Sequence, residues 1–308
     1  MTIRIVLDTD IGPDCDDVGA VAVLHALENL DEVRIAGMTH CTSSKWGAGC
    51  LDALNRFYGR GDIPIGTLTL PWFLDDDHVH AKYNKGITLG YPNRYQTESA
   101  PDAVEIMRKV LAEGEDGETA IVAIGPLINL MRLLESEGDQ YSPLNGLQLV
   151  SAKVSRLVAM GGYFPAGKEW NFEMHPASAA HVVANWPTPI VFSGFEIGAP
   201  IHTGGSLHKA LPDTHPLRKA YEWYVGVGET RHSWDLTAVL YVARGHHPFW
   251  ELETGTATVD AQTGENGWTP NPNGKHAYLK AVTSPSLVAE VLDQLMTHET
   301  EEVGLSHA

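Results

Sequence analysis

The chain has 308 residues, of which 43% are hydrophobic and 19% charged, and it carries a formal net charge of −18 at pH 7. That length and balance support the large buried core of a globular protein. The acidic excess argues against a nucleic-acid partner, because phosphate binding needs clustered Lys and Arg.

In chain order, "IRIVLDTD" (3–10) is a β-branched apolar run ending in acids, and reads as a buried strand that delivers its C-terminal end to a site. "DDVGAVAVLHALENL" (16–30), rich in Ala, Val and Leu with acids at its start, reads as a helix. A strand at 33–40 and a helix at 47–61 follow, then a loop over 70–100 and a helix at 101–114. "TAIVAIGP" (119–126) is a strand and 127–138 the helix after it; 140–152 reads as a loop. A strand at 154–162, a helix at 175–186 and a strand at 189–195 continue the alternation. Residues 254–282 read as a β-hairpin extension and 285–297 as a final helix. Such alternation predicts a single α/β domain over 1–308, built on one open, mainly parallel twisted sheet with helices on both faces. Ligands bind beyond the strand carboxyl ends of such sheets, which is where Asp8, Asp10, Gly125, Gly161 and Gly194 fall.

The three cysteines, Cys15, Cys41 and Cys50, fit neither a disulfide framework nor a zinc site. Free thiols in a reducing compartment are the simplest account. The short apolar run of "MTIRIVLD" is no signal peptide, and no run approaches transmembrane length. The expectation is a cytoplasmic protein with no membrane association.

Asp8, Asp10, Asp14, Asp16 and Asp17 crowd into ten positions between apolar stretches. Acids in a first helical turn are favoured by the backbone dipole, which accounts for Asp16 and Asp17 but not for Asp8 and Asp10. An EF-hand loop fails, because the twelfth position counted from Asp8 is Gly19 and not Glu. A site for a hard divalent cation answers the repulsion, and a spare carboxylate beside it can serve as a general base. A haloacid-dehalogenase-type phosphatase also opens with D-x-D, but it needs a later acidic pair at a strand end. Here the later strands end in "AIGP", "AMGG" and "FSGF".

The segment "DTDIGPDCDDVGA" resembles the D-x-D-P-G-x-D-D-A fingerprint of the nucleoside hydrolases of inosine–uridine-preferring type. "AIGPLINL" (123–130), "AMGGY" (159–163), "EWNFEMHPASAAHVV" (169–183) and "SWDLTAVLYV" (233–242) resemble further family segments in the same order. The resemblance implies a single open, mainly parallel α/β fold with a Rossmann-like core. It also implies Ca²⁺-dependent cleavage of the N-glycosidic bond of a ribonucleoside or other ribosyl compound, and a homo-oligomer. By position it implies Asp10, Asp17 and Asp235 as metal ligands, with the Ile124 main-chain carbonyl completing the protein shell. It implies Asp16 as the base that activates water, Glu169 and Asn171 as sugar-binding residues, and Asp8 as support from behind. Trp170 fits a hydrophobic wall against the sugar. A binding-only protein of the same fold is the competing reading, but it would not need Asp16.

The sequence departs from the pattern at several points. Two extra residues separate Gly12 from the Asp pair: counting from the front would make Asp14 the base and Cys15 a ligand, a poor soft partner for Ca²⁺, so counting back from the helix selects Asp16 and Asp17 and leaves Asp14 as a spare acid, supporting the shell or contacting a hydroxyl, and Cys15 without a role. Where some members carry a His before the last Asp, Trp234 stands here; it can stack on a planar base but cannot protonate it. His232 is nearby in sequence, and a lone His is more often structural. His78 and His80 sit in an expected lid loop. The family's Asn after the second strand has no counterpart in "THCTSSKW", nor has its Asn upstream of E-F-N in "GGYFPAGKEWN".

Overall fold

The computed structural model describes residues 2–75 and 83–298. His78 and His80 lie outside the described residues. The strands are β1 (Ile3–Thr9), β2 (Val33–His40), β3 (Ile65–Thr67), β4 (Thr119–Ile124), β5 (Val154–Met160), β6 (Ile190–Ser193), β7 (His202–Thr203), β8 (Arg231–His232), β9 (Trp250–Val259), β10 (Asn266–Pro270) and β11 (His276–Ala281). Nine of them form one sheet in the order β10-β9-β11-β6-β5-β4-β1-β2-β3. From β3 across to β11 the neighbours are all parallel; β9 and β10 join as an antiparallel edge. The expected mainly parallel α/β sheet is present. Among the described residues no helix is long and apolar enough to cross a membrane, and all three cysteines are free and buried.

The two-residue period of a strand sorts side chains to the two faces. Ile5 and Leu7 of β1 pack with Val122 and Ile124 of β4 in one apolar cluster, and Val6, Ile121 and Ala123 in the other. The helix Asp16–Asn29 is buried along its whole length from Asp16 to Leu27, as a helix apolar all round must be. It packs against β2 and against the helices Trp234–Arg244 and Pro285–Met296. The site's central acids therefore start a helix that cannot shift without disturbing the core.

Three sequence expectations are corrected. Residues 140–152, read as a loop, contain the start of a helix, Gly146–Lys153, opened by an Asn145–Gln148 capping box. The loop at 70–100 contains the helix Asn84–Gly90 and a 3₁₀ turn at Arg94–Gln96. The hairpin read as an extension starts at Trp250 and belongs to the main sheet, because β11 inserts between β9 and β6.

His25, on the buried face of the helix Asp16–Asn29, donates from Nε2 to Asn55 Oδ1 at 2.8 Å and stacks on Tyr58. Burial pushes its pKa down to about 4. Unfolded His titrates near 6.5, so the unfolded chain takes up the proton first as pH falls, and stability drops between about 6.5 and 4. At pH 5 this group alone is expected to cost about 2 kcal/mol. Urea unfolding of wild type and His25→Gln at pH 7 and pH 5 checks it: the wild type should lose more stability than the variant. Equal losses would refute the assignment.

Candidate active site

The order β3-β2-β1-β4-β5-β6 places a topological switch between β1 and β4, the crevice at which open α/β sheets bind ligands. Asp10 follows β1 there, and Ile124 ends β4 opposite Thr9. A side chain at residue 125 would press on Asp10 N (2.9 Å) and Cys41 Sγ (2.7 Å), so Gly125 lets the two strand ends close together. Above them lies a cleft of about 350 Å³ lined by Asp10, Asp14, Asp16, Asp17, Ile124, Glu169, Trp170, Asn171, Trp234 and Asp235 among others. A second hollow of about 580 Å³, beside the last helix, contains none of the clustered metal-ligating side chains found among the described residues.

Carboxylate oxygens of Asp16, Asp17 and Asp235 lie within 4.8 Å of one another, and all three residues are buried. Asp16 and Asp17 open one helix and Asp235 lies in the first turn of another, where the backbone dipole favours negative charge. Asp16 Oδ2 accepts the main-chain N–H groups of Trp234 (3.0 Å) and Asp235 (3.1 Å), which ties the two helix starts together. Thr9, on the helix-facing side of β1, donates its hydroxyl to Asp17 Oδ1 and accepts the Ile11 N–H at 3.0 Å. Burial pushes Asp10 up to about 7. It also pushes Asp16, Asp17 and Asp235 well above the usual carboxylate range, followed by the charges of neighbouring aspartates.

Asp8 is not in the cleft. Strand alternation turns it to the opposite face from Thr9, where its Oδ1 accepts from Thr39 Oγ1 (2.6 Å) and Asn129 Nδ2 (2.9 Å). Its Oδ2 is buried with no partner among the described residues, and burial pushes its pKa up to about 7. Glu169 caps the short helix Trp170–Met174 by accepting from Asn171 N at 2.8 Å and Phe172 N at 3.3 Å, and it also accepts from Gly162 N at 3.0 Å. Asn171 donates to the Met160 carbonyl at 3.1 Å. This network fixes both polar groups at the end of β5, with Trp170 37% exposed beside them.

Asp14 is an ion-pair partner. Arg231 Nε donates to both its oxygens at 2.9 Å, and Nη2 donates to Oδ2 as well. Sequence reasoning missed Arg231, along with Phe195 and Tyr224, which also line the cleft. The nearest signal was Arg231 itself, a lone cation three residues before the "WD" motif. Trp234 is not a free stacking platform: its ring contacts Phe195 (5.3 Å) and His232 (4.7 Å). His232 bonds the Ala199 carbonyl through Nδ1 and is not among the residues lining the cleft.

The model of a family described as inosine-uridine preferring nucleoside hydrolase matches residues 5–286. The chain is 30% identical over 190 residues to a probable uridine nucleosidase 2 of Arabidopsis thaliana, covering 58% of this chain and 52% of that protein. It is 29% identical over 209 residues to the pyrimidine-specific ribonucleoside hydrolase RihA of a Shewanella species (strain MR-7), covering 64% of this chain and 60% of that one. The chain thus spans between half and two thirds of the length of these curated relatives. In fold it is similar to a solved inosine-uridine preferring nucleoside hydrolase of Bacillus anthracis, with a TM-score of 0.70 at 16% identity, over 96% of this chain and 99% of that one.

Proposed function

From its membership of the inosine–uridine-preferring nucleoside hydrolase family, we propose that the chain is an N-ribohydrolase that uses Ca²⁺ to split a ribonucleoside or related ribosyl compound into ribose and base. The observation that carries this reading is the set of three buried carboxylates within 4.8 Å of one another. Buried acids at that spacing need protons or a cation to offset burial and mutual repulsion, and an all-oxygen donor set suits a hard divalent ion.

Asp10, Asp17 and Asp235 with the Ile124 main-chain carbonyl would hold the ion. When bound, it supplies positive charge that neutralises these acids and orients water and the sugar 2′- and 3′-hydroxyls. Asp16 takes a proton from the attacking water, while the main-chain N–H groups of Trp234 and Asp235 hold its other oxygen. The anomeric carbon gains oxocarbenium character as the C–N bond breaks, and the surrounding carboxylates stabilise that charge. Glu169 and Asn171 receive sugar hydroxyls, and Trp170 closes the ring's apolar side. Asp8 steadies the end of β1 from behind through Thr39 and Asn129. Asp14 supports the site through Arg231. The proposal includes a homo-oligomer, on family grounds, and a cytoplasmic location, for which the three free thiols are the support.

A panel of ribonucleosides and other ribosyl compounds assayed for free ribose, with and without EDTA, tests the reading. At least one compound should yield ribose, and EDTA should abolish the release. If ribose binds but no ribosyl compound is turned over, the chain is a binding protein of the same fold.

A further inference from the structure

Among the described residues, every charged residue lining the cleft is an acid except Arg231. The short β7–β8 ribbon holds this residue, with Arg231 paired to Thr203. Asp14 grips Nε and Nη2, and Asp14 is itself fixed: its Oδ1 accepts the Cys15 N–H at 2.6 Å and its carbonyl accepts the Tyr83 hydroxyl. The guanidinium carbon lies 5.5 Å from the Tyr224 ring centre and 5.2 Å from that of Trp234, a contact favourable to a cation over aromatic faces. Nη1 has no hydrogen-bond partner among the described residues, and the side chain is 27% exposed. The guanidinium thus lines the cleft in a rigid frame, and the N–H of the Trp234 beside it holds Asp16.

Hydrolysis of an N-riboside has a charge to place. As the C1′–N bond breaks, its electron pair stays on the base nitrogen. Water oxygen bonds to C1′, one water proton goes to Asp16, and the departing base later takes a proton from solvent. Burial lowers and the Asp14 ion pair raises the pKa of Arg231, with a net rise, so it keeps its protons and can only donate hydrogen bonds.

Resting on the N-ribohydrolase reading, we propose that Arg231 is a catalytic and specificity-determining residue whose Nη1 donates to a carbonyl oxygen of the leaving base. The contact acts on bases whose carbonyl is conjugated with the glycosidic nitrogen, the inosine and uridine type that the family description already names, because there the developing negative charge reaches an oxygen. The Asp14–Arg231 pair uses one of the two residues that lengthen this chain's acidic loop.

The test compares kcat/KM for uridine, inosine, adenosine and 4-nitrophenyl riboside in wild type, Arg231→Met and Arg231→Lys. Wild type should prefer the oxo bases over adenosine. Arg231→Met should lose about 100-fold on uridine or inosine, the usual effect of removing one such donor. It should lose less than about 3-fold on 4-nitrophenyl riboside, whose leaving group is stabilised on its own. Arg231→Lys keeps the charge against Asp14 but lacks the fork; it should show the same selective loss, and it carries the test if Arg231→Met fails to fold. Even losses on all substrates, or a wild-type preference for adenosine, would overturn the role of Arg231 while leaving the hydrolase reading intact. Wild type that splits another ribosyl compound but none of these four would overturn the role of Arg231 alone, and no turnover across the whole panel would overturn both.

Discussion

Asp16→Asn is expected to lower kcat by about 1,000-fold or more while the protein still binds its cation. The substitution is nearly isosteric, and an amide oxygen can go on accepting the N–H groups of Trp234 and Asp235 that now meet Asp16 Oδ2. What it removes is the ability to take a proton. Burial, followed by the neighbouring charge of Asp14, raises Asp16 above the ordinary carboxylate range, which strengthens it as a base. Asp10, Asp17 and Asp235 remain to hold the ion, so calcium titration by calorimetry should give a similar affinity in variant and wild type. Asp14 cannot easily stand in as base, because both its oxygens are engaged by Arg231. Turnover within 10-fold of wild type would therefore remove Asp16 from the mechanism altogether. Lost turnover together with lost calcium would make Asp16 a ligand, an arrangement its place among the three clustered carboxylates also permits.

Periodicity and strand ends located the site because they are local properties that a sheet converts into position. Each strand of a parallel sheet delivers its C-terminal end to the same edge, so strand ends alone put Asp10 and Gly125 at the crevice, while Ile124 and Asn171 entered only through the family resemblance. The buried helix Asp16–Asn29 was legible for the same reason: a run dominated by Ala, Val and Leu after two acids has few other solutions. The Asp14–Arg231 pair was not legible, since it joins residues 217 apart in the chain through a two-residue ribbon too short to carry a pattern. Nor could the sequence show that Trp234 already packs on Phe195 and His232, because ring contacts between separate turns leave no periodic trace. The insertion of β11 between β9 and β6 is likewise a choice of pairing partner made by the folded sheet. A hairpin's own alternation cannot encode it.

Removing the cation is expected to abolish turnover and to destabilise the fold as well. The acids concerned begin two helices that pack against each other, Asp16–Asn29 and Trp234–Arg244. Among the described residues, their charges are offset without an ion by protonation, by the nearby Arg231 and by hydrogen bonds from Thr9 and two main-chain N–H groups. A ligand that binds only the folded state at 100 times its Kd stabilises by about 2.7 kcal/mol, or about 5 °C in Tm for a chain of this size. Thermal melts after exhaustive chelation, then with added Ca²⁺ or Mg²⁺, read this directly. Calcium should restore both Tm and turnover. Magnesium should raise Tm less, since it demands tight octahedral geometry and gives up its waters reluctantly. Zinc should be a poor substitute, as the clustered donors are three aspartates with no His or Cys among them. Asp17→Asn should mimic chelation, with no calcium-induced rise in Tm and no activity, where Asp16→Asn keeps the rise and loses only the activity. A chelated protein with unchanged Tm and turnover, confirmed metal-free by elemental analysis, would show that these carboxylates serve the reaction without an ion.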